Sequence, residues 1–136
     1  VAQAMDLASA RGARKTIPLT VSGAFHSSLM QEAKEGLAEA MVAMEFKDPQ
    51  SPIIANSDCA ELRTGEQVRE ELVRGLCQCV QWRNTVRCMV DSGISQFVEL
   101  GPASVLASLI RRIDRGVEAV ALFNPDSIRK LAGATA

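Results

Sequence analysis

Apolar residues along this chain switch repeatedly between a helical spacing and a two-residue spacing. Val1, Met5 and Ala8 fall at helical intervals, with Gly12 placed to end a helix over residues 1–11. In "RKTIPLTV", Ile17, Leu19 and Val21 alternate, which predicts a strand, and Pro18 marks its start or an edge. Met30, Ala33, Leu37, Met41 and Met44 recur at three and four, which predicts a helix through residue 44. Ser28 and Gln31 would form its capping box. "SPIIANSD" reads as a short apolar strand followed by turn residues. A second capping box, Thr64 with Gln67, opens a helix whose stripe is Val68, Leu72 and Leu76.

"VQWRNTVRCMVDSG" predicts a further helix ending at Gly93. "ISQFVELG" predicts a strand, and "PASVLASLIRRI" a helix with Leu106, Leu109, Ile110 and Ile113 inward. "VEAVALF" is the last predicted strand, and "NPDSIRKLAG" a terminal helix capped by Asp126 or Ser127. Helix and strand alternation from end to end predicts an α/β layer with a largely parallel sheet. Ligands of such sheets sit beyond the carboxyl ends of the strands.

The 136 residues, 47% of them hydrophobic, suffice for one core. A net charge of −1 leaves no electrostatic footprint for nucleic acid or an anionic membrane surface. No apolar run reaches bilayer-spanning length, and "VAQAMDLASARGARK" carries no apolar leader core. The four cysteines, Cys59, Cys77, Cys79 and Cys88, lack C-x-x-C spacing. With one histidine in the chain, they read as free thiols of a reducing compartment, and no metal site is expected.

That one histidine, His26, lies in "VSGAFHSSLM" between the predicted strand "IPLTV" and the helix that follows. Histidine is the side chain whose ordinary titration suits proton transfer near neutrality. A general base needs a nucleophile to serve, and the chain holds no G-x-S-x-G elbow. From position alone, a turn-filling histidine and a catalytic one both remain open.

"IPLTVSGAFHSSLM", "PIIANSD", "VQWRNTV", "FVELGPASVLASLIRRI" and "ALFNPDS" together resemble, in order and spacing, the C-terminal part of malonyl-CoA:acyl carrier protein transacylases. The acyltransferase domains of fatty acid and polyketide synthases share much of this pattern. The resemblance runs from about residue 13 onward. It implies a serine that takes malonyl from malonyl-CoA and passes it to the phosphopantetheine thiol of acyl carrier protein, by ping-pong transfer. It implies His26 as the base that takes the serine proton, and an arginine that clamps the malonate carboxylate.

The elbow serine and the clamp arginine have no counterpart in this sequence, so the resemblance implies a C-terminal fragment completed by an N-terminal half. Residues 1–21 would be the tail of a small ferredoxin-like subdomain. Residues 22–136 would complete a larger α/β-hydrolase-like core. Gly75 stands where the family often has glutamine, at a position whose backbone carbonyl orients the histidine. Cys79 stands where proline is common. Asn56 matches a common asparagine near the active site, and a turn-forming asparagine is its other reading. Phe25 resembles the bulky residue of malonyl-selective members, with core packing as its alternative. Arg111, Arg112 and Arg115 suit either an acidic carrier protein or a solvated helix end.

The resemblance thus implies malonyl-CoA and acyl carrier protein as partners, and no nucleic acid or membrane. It implies no cofactor beyond the CoA and phosphopantetheine of the substrates, and a cytoplasmic or organellar-matrix setting. The ending "LFNPDSIRKLAG" favours a free-standing enzyme over a synthase domain. A docking fragment without catalysis, a polyketide synthase acyltransferase and a hydrolase using water remain alternatives.

Overall fold

A computed structural model describes residues 1–134. The elements run α1 (Ala2–Ala10), a 3-10 turn (Ser28–Met30), α2 (Gln31–Met41), β1 (Ile53–Ile54), β2 (Glu61–Leu62) and α3 (Gly65–Gly75). They continue with α4 (Trp82–Asp91), β3 (Gln96–Leu100), α5 (Val105–Ile113), β4 (Glu118–Leu122) and α6 (Pro125–Ala134). The chain is therefore α/β.

The second half forms a β-α-β unit. Strands β3 and β4 pair in parallel, from Gln96 opposite Glu118 to Leu100 opposite Leu122. Helices α4 and α5 cover one face, and the buried core is Val86, Phe97, Ala107, Ile110 and Ala119. Helix α5 buries Ala107 and Ile110, whereas Leu106 and Leu109 are exposed, so half of its expected inward stripe points elsewhere. Val98 and Leu100, on the other face of β3, are 47% and 75% exposed.

Local signals place the helix ends. Helices α1 and α4 both finish in Schellman turns. Gly12 donates to Ser9 and Ala13 to Ala8, while Gly93 donates to Val90 and Ile94 to Met89. The two glycines take φ of 88° and 93°, a conformation that costs glycine least. The Thr64–Gln67 capping box is present in full. Gly65 just inside it is buried, and a Cβ there would overlap the Phe46 carbonyl oxygen.

The first half departs from expectation. Residues 14–21 form no strand, because no described residue pairs with their backbone, and an extended segment needs a neighbour for its N–H and C=O groups. Strand β1 is two residues long and pairs antiparallel with β2, which periodicity did not predict, since two residues carry no alternation. The sheet is thus not one largely parallel layer: among the described residues it is two separate pairs, one antiparallel and one parallel.

The Ser28–Gln31 box does not form. Ser27 is the cap, its Oγ accepting from the Leu29 N–H and donating to the Ala24 carbonyl, and the Gln31 amide goes to Glu35 instead. Helix α2 stops at Met41, leaving Met44 exposed. The cap of α6 is Asn124, whose Oδ1 accepts from the Ser127 N–H at 2.8 Å, so the helix is capped from before Pro125 and not by Asp126 or Ser127.

Candidate active site around His26

Helix α3 closes with the Cys77 N–H donating to the Arg74 carbonyl at 3.2 Å, but an α-helix leaves more of its last carbonyls without an intrahelical partner than one such bond can meet. His26 supplies the missing donors from 49 residues away in sequence. Its backbone N–H donates to the Leu76 carbonyl at 2.8 Å. Its ring Nδ1 lies 2.8 Å from the Gly75 carbonyl and 3.1 Å from that of Gln78. Carbonyl oxygens only accept, so Nδ1 carries the proton. In the neutral ring, Nε2 is then the nitrogen with a free lone pair.

These bonds hold His26 at φ 63°, in the left-handed region that a residue with a Cβ rarely adopts. Two anchors, one through the backbone and one through the ring, offset that local cost. Strain of this kind concentrates where function demands a fixed side chain. Cys59, on the β1–β2 turn, is the other non-glycine residue with positive φ among those described, at 64°.

A pocket of about 260 Å³ opens beside the ring, with Leu37 of α2, Asn56 and Ser57 of the β1–β2 turn, and Glu71 and Leu72 of α3 on its walls. The structure therefore brings His26, Gly75 and Asn56 to one place, although 30 residues separate His26 from Asn56 in the chain. The Asn56 carbonyl accepts from the Gln81 N–H at 2.6 Å, which pins the turn to the start of α4. Phe25 stands apart from this pocket. Its ring leans on Gly23 and is 55% exposed. A Cβ at position 75 would meet nothing within 4 Å, so the glycine is not required by space.

Sequence reading missed Glu71. Its carboxylate accepts from the Ser57 N–H at 3.0 Å and the Ser57 hydroxyl at 2.7 Å. Arg74 donates to it from Nε at 3.1 Å and from the terminal nitrogen at 2.7 Å, and also reaches Asp58 at 2.9 Å. Burial pushes the Glu71 carboxyl up, but the hydrogen bonds from Arg74 and Ser57 and the Arg74 charge outweigh it and hold it below its ordinary value. The pairing raises Arg74 in turn, chiefly through its bond to Glu71. An i, i+3 Glu–Arg spacing was the available signal, but it is common on solvated helix faces.

No group of three or more metal-ligating side chains occurs among the described residues, and all four cysteines are free. Among the described residues, no helix is long and apolar enough to cross a membrane.

The site is thus a left-handed histidine that caps the end of a helix beside a pocket, on an α/β chain. Comparison then gives the relatives. The malonyl CoA-acyl carrier protein transacylase of Bacillus subtilis is 34% identical over 125 residues, spanning 92% of this chain and 39% of that protein. That of Staphylococcus aureus is 31% identical over 118 residues, spanning 87% and 38%. A malonyl-transacylase solved in complex with a type II polyketide synthase acyl-carrier protein superposes with a TM-score of 0.88 at 34% identity, covering 98% of this chain and 43% of that one. The malonyl-CoA:acyl carrier protein transacylase of Xanthomonas oryzae gives 0.88 and 34%, covering 98% and 42%. No family model matches the chain. The chain is homologous to the malonyl-CoA:acyl carrier protein transacylases and spans about two fifths of the curated relatives' length.

Proposed function

We propose that this chain supplies the general base of a malonyl-CoA:acyl carrier protein transacylase, and that an N-terminal half of the same enzyme supplies the serine nucleophile and the carboxylate-clamping arginine. The observation that carries this reading is the Nδ1 bond of His26 to the Gly75 carbonyl, which leaves Nε2 as the accepting nitrogen. Nε2 takes the serine proton as Oγ attacks the malonyl thioester carbonyl. The tetrahedral adduct collapses to the serine ester, and the departing CoA thiolate recovers the proton. In the second half, the phosphopantetheine thiol of acyl carrier protein gives its proton to Nε2 and attacks the ester. Malonyl leaves on the carrier, and the serine is reprotonated.

The backbone carbonyl of Gly75 orients the ring, Asn56 borders the pocket beside it, and Phe25, which stands outside that pocket in this chain, limits the substituent next to the thioester once the N-terminal half closes the site. Malonyl-CoA and acyl carrier protein are the partners, and the CoA and phosphopantetheine arrive on the substrates, with no cofactor of the enzyme's own. The setting is the cytoplasm or an organelle matrix. The role is in fatty acid or polyketide synthesis.

Support for a covering half comes from exposed apolar residues. Parallel sheets are ordinarily covered on both faces, yet Val98 and Leu100 are open. Ile17, Leu19 and Val21 are 62–79% exposed on a segment without a strand partner. Residues 22–134 on this reading complete an α/β-hydrolase-like core, and residues 1–21 trail from a ferredoxin-like subdomain.

The test is acylation by labelled malonyl-CoA followed by intact mass. This chain alone stays unlabelled. The enzyme carrying both halves is labelled, and His26→Ala slows that labelling by about 10²–10⁴-fold, the usual contribution of a general base. A stoichiometric ester on this chain alone, or unchanged labelling in His26→Ala, overturns the reading.

A further inference from the structure

Glu71 lines the His26 pocket yet makes no bond to the histidine ring, whose Nδ1 is taken by the carbonyls of Gly75 and Gln78. A carboxylate this close to a catalytic imidazole invites assignment as the acid of a triad. The geometry denies it, because both Glu71 oxygens already face other donors, Ser57 at Oε1 and both Ser57 and Arg74 at Oε2.

What those bonds do is join two pieces of chain. Ser57 and Asp58 belong to the β1–β2 turn that also carries Asn56. Glu71 and Arg74 belong to the last turns of α3, and Gly75 follows Arg74 directly. The Glu71 side chain is only 11% exposed, so its charge is neutralised by Arg74 and its lone pairs are used locally. The end of α3, which positions Nδ1, is thereby tied to the turn that also lines the pocket.

We propose that Glu71 is a positioning residue for His26: by clamping Ser57 of the β1–β2 turn to the last turn of α3, it fixes the carbonyls that hold the imidazole in its Nδ1–H form. The proposal rests on the general-base reading for its catalytic consequence, but not for its effect on the ring. Cutting the clamp frees the end of α3, loosens the Gly75 and Gln78 carbonyls from Nδ1, and lets the ring relax toward the Nε2–H form that free histidine favours.

Because His26 is the sole histidine, long-range ¹H–¹⁵N spectra report its two ring nitrogens without overlap. The variants are Glu71→Ala and the milder Ser57→Ala, with Glu66→Gln as the control at the other end of α3, where Glu66 pairs with Arg69 on the surface. Far-UV circular dichroism monitors folding. The expected result is that the Nδ1 and Nε2 resonances of the neutral ring shift toward each other in both clamp variants and stay put in the control. In the enzyme with both halves, the clamp variants lower kcat for malonyl transfer by about 10–100-fold, as displacement by about an ångström does, with KM for malonyl-CoA nearly unchanged.

Unchanged ring resonances in folded Ser57→Ala and, where it folds, Glu71→Ala overturn the positioning role. Shifted ring resonances with unchanged kcat retain the clamp and overturn the general-base reading instead. A loss confined to KM would make Glu71 part of the substrate wall and overturn the proposal.

Discussion

The carboxylate of Glu99, on β3, accepts hydrogen bonds from the backbone N–H groups of Leu106 and Ala107, the latter at 2.8 Å. Helix α5 has no side-chain cap from Ser104, so this acidic residue from the preceding strand caps it across the intervening loop. A negative charge there also meets the positive end of the helix dipole. The "VELGP" stretch therefore has a structural meaning in its glutamate.

Replacement of Glu99 by alanine is expected to destabilise the chain by about 0.5–2 kcal/mol, the range for losing an N-terminal helix cap. Glu99→Gln keeps an acceptor and falls between. Urea denaturation at pH 7 measures both. Equal stability of Glu99→Ala and wild type would show that α5 does not depend on this bond.

His26 takes a left-handed backbone conformation, at φ 63°. Both His26→Ala and His26→Gly remove the ring and its bonds, but only alanine keeps a Cβ in that conformation. His26→Gly is expected to be more stable than His26→Ala by about 1 kcal/mol, from the cost of that conformation for residues with a Cβ. Denaturant midpoints of the two variants decide it. The reverse order would mean that this backbone conformation is not kept once the ring is gone.

The lowered pKa of Glu71 has a pH signature. A carboxyl whose folded value lies below its unfolded value stabilises the fold at pH above the unfolded value and loses that contribution as pH falls through the folded one. The loss therefore falls below its ordinary value of 4.5. Wild type should exceed Glu71→Gln in stability at pH 7, and the gap should narrow as pH drops below 4.5. Thermal melts across pH values from about 3 to about 7, which bracket that ordinary value of 4.5, test it. A gap independent of pH would show that the Glu71 charge contributes nothing.

Phe25→Ser in the enzyme with both halves is expected to raise transfer of methylmalonyl relative to malonyl by about 10–200-fold, the worth of one methyl group in an apolar pocket. Competition between the two thioesters, scored by the mass of the acylated carrier, gives the ratio. An unchanged ratio would place selectivity elsewhere and leave Phe25 as the cover of Gly23 seen here.

Contacts between near neighbours determine the features that were legible from residue order alone. The Thr64–Gln67 box, the glycine-ended helices α1 and α4, and the alternation within β3 and β4 each depend on residues a few positions apart. The motif around His26 identified the histidine for the same reason, since resemblance reads short runs of residues. Tertiary structure decided what depends on distant partners. "IPLTV" has the alternation of a strand but no described neighbour to pair with, so it is not one. Ser27 rather than Ser28 caps the turn after His26, because the folded backbone puts the Leu29 N–H and the Ala24 carbonyl within reach of its hydroxyl. The Nδ1–H form of His26 depends on carbonyls 49 and 52 residues away, and the Glu71–Ser57 bond spans 14, so neither leaves a local pattern. A hydrogen bond is directional and short-ranged, so residue order could supply its donors and acceptors, but only the folded backbone brings them within reach.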